Sequence, residues 1–441
     1  MLIVIRNTFG QLVAHGGFRR YFFNTSWMFA EQVLRIVAAL FVGIYVARYL
    51  GPEQFGIYSY AAAFVALFAA VAGLGLNGIV VRDLVNHPDN RDVYLGTAFW
   101  LKLAGALLTL GLLAIAVQFT GNDAKTNLYI FIIASGLIFQ SFDVVDFYFQ
   151  SKVLSKYVSI CRLVQLALSS ALKLYFIFIQ ADLFWFVLVS LIDQISLALA
   201  LALAYWRQKI GSFFGQFDLS TAKTMLRNSW PLILSGIAIS LYMRIDQIMI
   251  KEMLGEREVG LYSAAVRLSE AWYFVPAIIT ASLFPAILNA KKISQELYYS
   301  RLQRLFTFLT WMAILIALPM TFMSDWLVTL LYGTAFIEAG QVLMIHIWAG
   351  VFVSLGVASS SWLTSENLQH YAFYRTLAGA VINIVLNLVL INSYGMIGAA
   401  ISTVIAQSLA ALFFDLINKK TRIIYFMKLK TLLFANLIQK G

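Results

Sequence analysis

Charge, cysteine and proline are all scarce in this chain of 441 residues. Only 12% of its residues are charged, against about 25% in a soluble domain. Its one cysteine, Cys161, excludes an internal disulfide and a cysteine metal cluster and reads as a small packing residue. The four histidines (His15, His87, His346, His370) have no ligand spacing, so no metal and no cofactor is expected. His346 falls in an apolar run and reads as a hydrogen-bonded packing group. No nucleophile motif and no acid pair in a soluble cleft is visible, so an enzyme is not expected. Gly73-Leu74-Gly75-Leu76-Asn77-Gly78 has dinucleotide-site spacing, but it ends a long apolar run rather than following a strand in a βαβ unit, and that reading fails. A cleavable signal is absent too. Residues 1–23, with Arg6, Arg19 and Arg20, read as an amphipathic lead-in lying on the cytoplasmic surface.

What the chain has is apolar length. It is 61% hydrophobic, and a span needs about 20 mostly apolar residues. Spans are expected near 27–48, 56–81, 94–118, 127–149, 157–179, 183–206, 229–251, 260–288, 304–323, 341–364, 371–392 and 395–417. Runs this long in lipid are helical. The net charge of +11 suggests nucleic acid until the charges are placed. With a cytoplasmic N-terminus, 23 Lys and Arg lie on the inner side and only Arg48, Lys125, Lys251 and Arg257 on the outer side. This is the positive-inside pattern and not a basic binding face, so nucleic acid is excluded as a partner and both termini are cytoplasmic.

The chain also repeats itself. Leu50-Gly51, Gly56, Tyr58-Ser59 and Ala61 recur as Leu254-Gly255, Gly260, Tyr262-Ser263 and Ala265. The runs before them open with Ser26-Trp27 and Ser229-Trp230. Duplicated membrane chains are most often transporters. The expected fold is an all-α polytopic membrane protein with about twelve helices in two pseudo-symmetric six-helix lobes. The N-terminal lobe covers 1–206, a cytoplasmic linker 207–228, the C-terminal lobe 229–418 and a basic amphipathic tail 419–441. The tail mixes Lys428 and Lys430 with Ile423, Phe426 and Phe434, as an in-plane helix on an anionic leaflet would.

Five cations remain inside spans: Arg35, Lys102, Lys173, Arg244 and Arg267. Each costs about 2.5–3.5 kcal/mol at mid-helix on the milder scales, so each faces a partner or a polar cavity. Glu31 with Arg35 and Arg267 with Glu270 are spaced to share a helix face. Lys102 and Lys173 have no acid nearby in sequence and must find one across the bundle or meet an anion. Asp143 and Asp146 are expected to pair with Lys152 and Lys156, or to bind a coupling ion. Asp193, Asp246, Glu31 and Glu270 are further coupling-ion or charge-balancing candidates. Asn383 and Asn387, four apart, either line a cavity or bond to neighbouring helices. Pro276 and Pro285 mark one span as bendable. A cationic cavity would take an anionic cargo, with arginine suited to gripping phosphate.

Ala47-Arg48-Tyr49-Leu50-Gly51-Pro52-Glu53-Gln54-Phe55-Gly56-Ile57-Tyr58, then Leu74-Gly75-Leu76 and Val81-Arg82, resembles the opening of bacterial polysaccharide-repeat-unit (O-antigen type) flippases. These belong to the multidrug/oligosaccharidyl-lipid/polysaccharide transporter superfamily. Asp246, Gly255, Gly260 and Tyr262, and Gly395-Met396-Ile397-Gly398-Ala399-Ala400, are similar to later parts of the family pattern. The resemblance implies a MATE-like pair of lobes in the bacterial inner membrane. It implies alternating-access transfer of undecaprenyl-pyrophosphate-linked oligosaccharide for surface polysaccharide, with other polysaccharide-assembly membrane proteins as partners. It implies substrate contacts from Arg35, Lys102, Lys173, Arg244 and Arg267 only as a class of basic cavity residue. The alternatives are a cation-coupled multidrug exporter of the same superfamily, which would want more acids in the cavity, and a membrane-embedded polymerase or glycosyltransferase, which would want a large outer loop.

Overall fold

The computed structural model describes residues 16–209 and 211–432, and the side chains from Trp27 onward. The basic residues of the lead-in before Gly16 and the tail after Leu432, Phe434 included, lie outside the described residues. All the regular structure described is helical. In chain order the helices are α1 (Gly16–Gly73), α2 (Asn77–Asn86), α3 (Arg91–Ala116), α4 (Ala124–Phe139), α5 (Val144–Ser151), α6 (Ser155–Phe178), α7 (Leu183–Arg207), α8 (Leu219–Met253), α9 (Glu256–Glu270), α10 (Phe274–Lys291), α11 (Gln295–Tyr332), α12 (Ala339–His346), α13 (Ala349–Ser365), α14 (Gln369–Ser408), α15 (Phe414–Ile417) and α16 (Arg422–Leu432).

Ten helical stretches among the described residues are long and apolar enough to cross a membrane. Trp27–Asn86 and Gln369–Ile417, with 60 and 49 residues, are each long enough for two crossings at about 20 residues apiece. Each is broken by a glycine, Gly51 (φ 71°) and Gly395 (φ 60°). Counting those as double gives the twelve crossings expected. Gly51 and its repeat partner Gly255 share one backbone shape, with φ of 71° and 115° and ψ of 172° and −177°. That region is open to glycine almost alone, which explains why both copies of the repeat keep one there.

The 36-residue stretch Glu256–Lys291 is broken at Ala271–Tyr273. Pro276 accounts for the place: its ring clashes with the carbonyl four residues earlier, that of Trp272. Helix α8 begins at Leu219, within the stretch 207–228 expected to link the lobes. Asp218 accepts from the Thr221 N–H at 2.6 Å, and that bonding holds its carboxyl below the usual carboxylate range.

The chain forms two compact units. Unit 1 takes the described residues up to Val46 and Val65–Ile237; unit 2 takes Ala47–Phe64 and Ala238 onward. In unit 1 the core joins Leu95, Phe99, Val145, Phe149 and Tyr205. The start of the linker belongs to it: Phe213 is buried, Phe214 stacks edge-on against Phe99 at 5.1 Å, and Trp100 Nε1 donates to the Phe214 carbonyl at 2.8 Å.

In unit 2 the core joins Phe284, Tyr298, Leu305, Phe306, Trp362, Ile424 and Met427. Helix α16, part of the tail expected to lie in the membrane plane, packs against the bundle through Ile424 and Met427. Lys428 is fully buried, donating to Asp415 Oδ2 and to the Ala411 carbonyl, both at 2.6 Å. Ala411 lies in a π-helical turn, Leu409–Phe413, whose irregular ladder leaves the carbonyl free to accept.

The repeated motif meets its own second copy inside unit 2. A Cβ placed on Gly56 would lie 1.8 Å from the Glu256 carbonyl oxygen, and one placed on Gly260 would lie 1.8 Å from that of Pro52. Pro52 and Glu256 are equivalent positions in the repeat, as are Gly56 and Gly260. The crossing is reciprocal, a local two-fold contact that only glycine allows.

Candidate functional site

In unit 1, Arg35, Lys102, Arg162 and Lys173 lie along the span helices, and each of these four has a carboxylate. Arg35 Nε lies 3.0 Å from Glu31 Oε1, the local pair expected. Lys102, 3% exposed, reaches Asp143 at 3.0 Å and lies over the Phe147 ring. Lys173 reaches Asp193 at 3.3 Å, and Ser169 ties the two by donating to Asp193 at 2.9 Å and accepting from Lys173 at 2.8 Å. Arg162 reaches Asp146 at 2.8 Å and Glu31 at 3.9 Å. Asp143 and Asp146 thus pair across helices, with Lys102 and Arg162, where Lys152 and Lys156 were expected. Lys102 and Lys173 find acids and not an open anion site.

Arg162 is one of the 23 cations assigned to the inner side in the sequence, although it falls inside the span expected at 157–179. Its spacing to Lys173, eleven residues or three helical turns, places the two on one face of α6. That periodicity is the signal that identifies it.

Unit 2 lines a partly open cavity of about 510 Å³ among α8, α9, α10, α12, α13 and α14. Asp246, 5% exposed, lies on its wall, where Tyr262 Oη donates to it at 2.6 Å, Thr403 Oγ1 at 2.5 Å and Asn387 Nδ2 at 2.6 Å. Three donors satisfy the buried carboxyl group in the absence of a charged partner among the described residues. Asn383 and Asn387 are both fully buried and hydrogen-bond each other at 3.2 Å, so they support Asp246 from behind rather than line the cavity. His346 bonds Ser269 at 2.9 Å, the packing role expected, while still touching the cavity.

Glu270 ends α9 at the break before Pro276 and faces the same cavity. Its ion-pair partner is Arg244, at 3.7 Å, and not Arg267 as the spacing suggested. Arg267 instead lies over the Phe55 ring at 5.1 Å, with no ion pair among the described residues. Arg375, placed among the inner-side loop cations in the sequence, is buried and donates to Ser359, Ser360 and the Gly356 carbonyl.

Outside the spans, Arg257 and Glu338 form a bidentate pair at 2.7 and 3.2 Å, and the guanidinium holds the Glu338 carboxyl below its usual range. Among the described residues no cluster of three acids, histidines or cysteines could hold a metal ion.

Residues 22–291 match the family described as "Polysaccharide biosynthesis protein", and residues 231–389 match one described as "MatE". The "Probable low-salt glycan biosynthesis flippase Agl15" of Haloferax volcanii is 24% identical over 83% of this chain and 77% of its own. The "Capsular polysaccharide biosynthesis protein CapF" of Staphylococcus aureus is 20% identical over 88% of this chain and 96% of its own. Among solved structures, an inward-facing multidrug resistance MATE family transporter of the MOP superfamily aligns at a TM-score of 0.68 and 16% identity. It covers 89% of this chain and 95% of its own, and it agrees with this chain in fold.

Proposed function

From the premise that this chain belongs to the polysaccharide biosynthesis protein family, we propose that it is a flippase for polyprenyl-pyrophosphate-linked oligosaccharide. It would act by transport rather than catalysis, through alternating access of two six-helix lobes, in a cytoplasmic membrane with both termini inside. The names of its relatives from Haloferax volcanii and Staphylococcus aureus support a cargo of this class.

The observation that carries the reading is the density of paired charge within helices of membrane length. Arg35, Lys102, Arg162 and Lys173 face Glu31, Asp143, Asp146 and Asp193 in unit 1. Isolated, each would be costly in lipid, and such groups mark ion and substrate paths.

The pairing refines the mechanism. A pyrophosphate entering this path does not fill a bare positive pocket; it takes the place of a carboxylate on an arginine or lysine. A proton or sodium ion that occupies the displaced acid lowers the cost of the exchange, which links an ion gradient to loading. Arg267, free of such a pair, and Arg244, held loosely by Glu270, offer the readiest grip in unit 2.

Alanine at Arg35, Lys173, Arg244 or Arg267 should stop glycan export while the protein remains in the membrane. In a deletion strain the lipid-linked oligosaccharide should accumulate on the inner leaflet. Normal export by all four variants would sink the exchange mechanism. The carboxylates on the unit 2 cavity favour a second reading, a cation-coupled drug exporter. Drug resistance conferred on a pump-deficient strain, with no effect on glycan, would favour it.

A further inference from the structure

Two buried cations beside the unit 2 cavity share a single acid. Arg375, 6% exposed, and Lys428, fully buried, both donate to Ser359 Oγ, at 2.8 and 3.0 Å. Asp415 pairs with Lys428 at 2.6 Å, and Arg375 forms no ion pair among the described residues. The acids on the cavity wall do not supply one. Asp246 is held by three donors of its own, and Glu270 pairs with Arg244. The group of Arg375, Lys428 and Asp415 therefore carries one positive charge in excess. Hydroxyls and carbonyls solvate that charge without neutralising it, and a buried charge without a counter-ion is costly.

Arg375 is the member of the group that lines the cavity. A guanidinium has five N–H donors. Arg375 spends three of them, on Ser359, Ser360 and the Gly356 carbonyl. Its Nε is unbonded among the described residues and keeps accessible surface. Ser361 and Gln407 stand on the same cavity wall, half-buried, and their side chains also make no hydrogen bond among the described residues. One cavity thus holds an uncompensated arginine and two further donors with nothing to donate to.

We propose that Arg375, with Ser361 and Gln407, forms an anion subsite in the unit 2 cavity, which takes a carboxylate or phosphate group of the glycan cargo; the source of the anion rests on the flippase reading above. Hydrogen bonds from a guanidinium to such a group are charge-assisted and stronger than neutral ones. A volume of about 510 Å³ falls within the roughly 300–1,000 Å³ usual for small-molecule sites. Two parts of such a cargo carry this chemistry, the carboxylate of an acidic sugar and the pyrophosphate. An organic cation is disfavoured beside Arg375, which would repel it.

The test uses the full-length protein purified in nonionic detergent and three probes: glucuronate, inorganic pyrophosphate and neutral glucose. Binding is read by titration calorimetry. The wild type should bind at least one of the anions and should not bind glucose. Arg375→Met should abolish binding of that anion. Ser361→Ala/Gln407→Leu breaks no hydrogen bond among the described residues, so it keeps the test open should Arg375→Met not fold. It should bind the anion about tenfold more weakly, from two hydrogen bonds at ordinary net strength. Tighter binding of glucuronate identifies the anion as an acidic sugar, and tighter binding of pyrophosphate identifies it as the phosphate; each supports the subsite.

No binding of either anion to the wild type would overturn the subsite. So would unchanged affinity in the double variant, or glucose bound as tightly as glucuronate. The leaflet assay separates the two readings. Inner-leaflet accumulation in a deletion strain, with variant-insensitive anion binding, sinks the subsite alone. Variant-sensitive anion binding without such accumulation sinks the flippase reading and leaves the anion subsite standing.

Discussion

Replacing Gly56 with alanine adds one methyl group at the tightest backbone contact of the repeat. The new carbon would sit 1.8 Å from the Glu256 carbonyl oxygen, about half an ordinary carbon–oxygen contact. Because the obstacle is backbone, no side chain can swing aside, and the two helices must part by more than an ångström. Overpacking costs about 1–3 kcal/mol where neighbours yield, so this site belongs at the upper end, about 3 kcal/mol. That is roughly a 150-fold change in a folding equilibrium. Gly111 is the control, since nothing lies within 4 Å of a methyl there and its backbone is helical. Alanine at Gly111 should be neutral or stabilise by about 0.5–1 kcal/mol.

Thermal unfolding of the purified proteins in one detergent gives the comparison. Gly260→Ala should match Gly56→Ala in size, because the crossing is reciprocal. The double variant should cost clearly less than the sum, since helices already parted by one methyl accommodate the second. A Gly56→Ala protein as stable as Gly111→Ala would refute the close crossing, and strict additivity of the pair would refute its reciprocity.

The buried charges give two more expectations. Lys173→Ala strands Asp193, whose Oδ1 already lacks a partner, and should cost roughly 2–3 kcal/mol; that is below the figure for a fully buried pair, because about a fifth of each side chain is exposed. The exchange Lys173→Asp/Asp193→Lys should recover at least half of that midpoint loss, and no recovery would mean that the pair does not act as a unit. Lys428→Met should cost about 3–5 kcal/mol by isolating Asp415, and adding Asp415→Leu should restore most of it. Burial pulls the Lys428 ammonium down to about 8 from 10.5. The folded protein therefore sheds that proton before the unfolded chain does. The penalty is complete below pH 8 and is relieved as pH rises towards 10.5. The midpoint of the wild type should accordingly gain on that of the Lys428→Met/Asp415→Leu variant across this window; a steady difference would count against it.

The crossings were legible because apolar length and alternating loop charge are properties of the line of sequence itself. So was the Glu31–Arg35 pair, four residues apart on one helix. The partners of Lys102 and Arg162 were not, because they come from other helices, 41 and 16 residues away. Arg162 and Arg375 were hidden by their nearness to helix ends, where a one-dimensional count assigns cations to water. Pro276 announced a bend, and the break lies four residues before it, at the carbonyl its ring displaces. The repeat was visible in the sequence, but the meeting of its two copies was not, since spacing along a chain carries no information about which segments touch.

Docking of α16 bears on how the topology of this protein can be mapped in the cell. Serial truncations fused to a reporter would normally be cut just past the last crossing, near Asn418. Such a fusion would strip Lys428 from Asp415 and leave a lone carboxylate within a helix bundle about to enter lipid. The final hairpin would then be prone to stall or slip out, and the reporter would assign the wrong side to its own junction. Junctions placed after Leu432 keep the counter-ion in the nascent chain and should report the natural orientation.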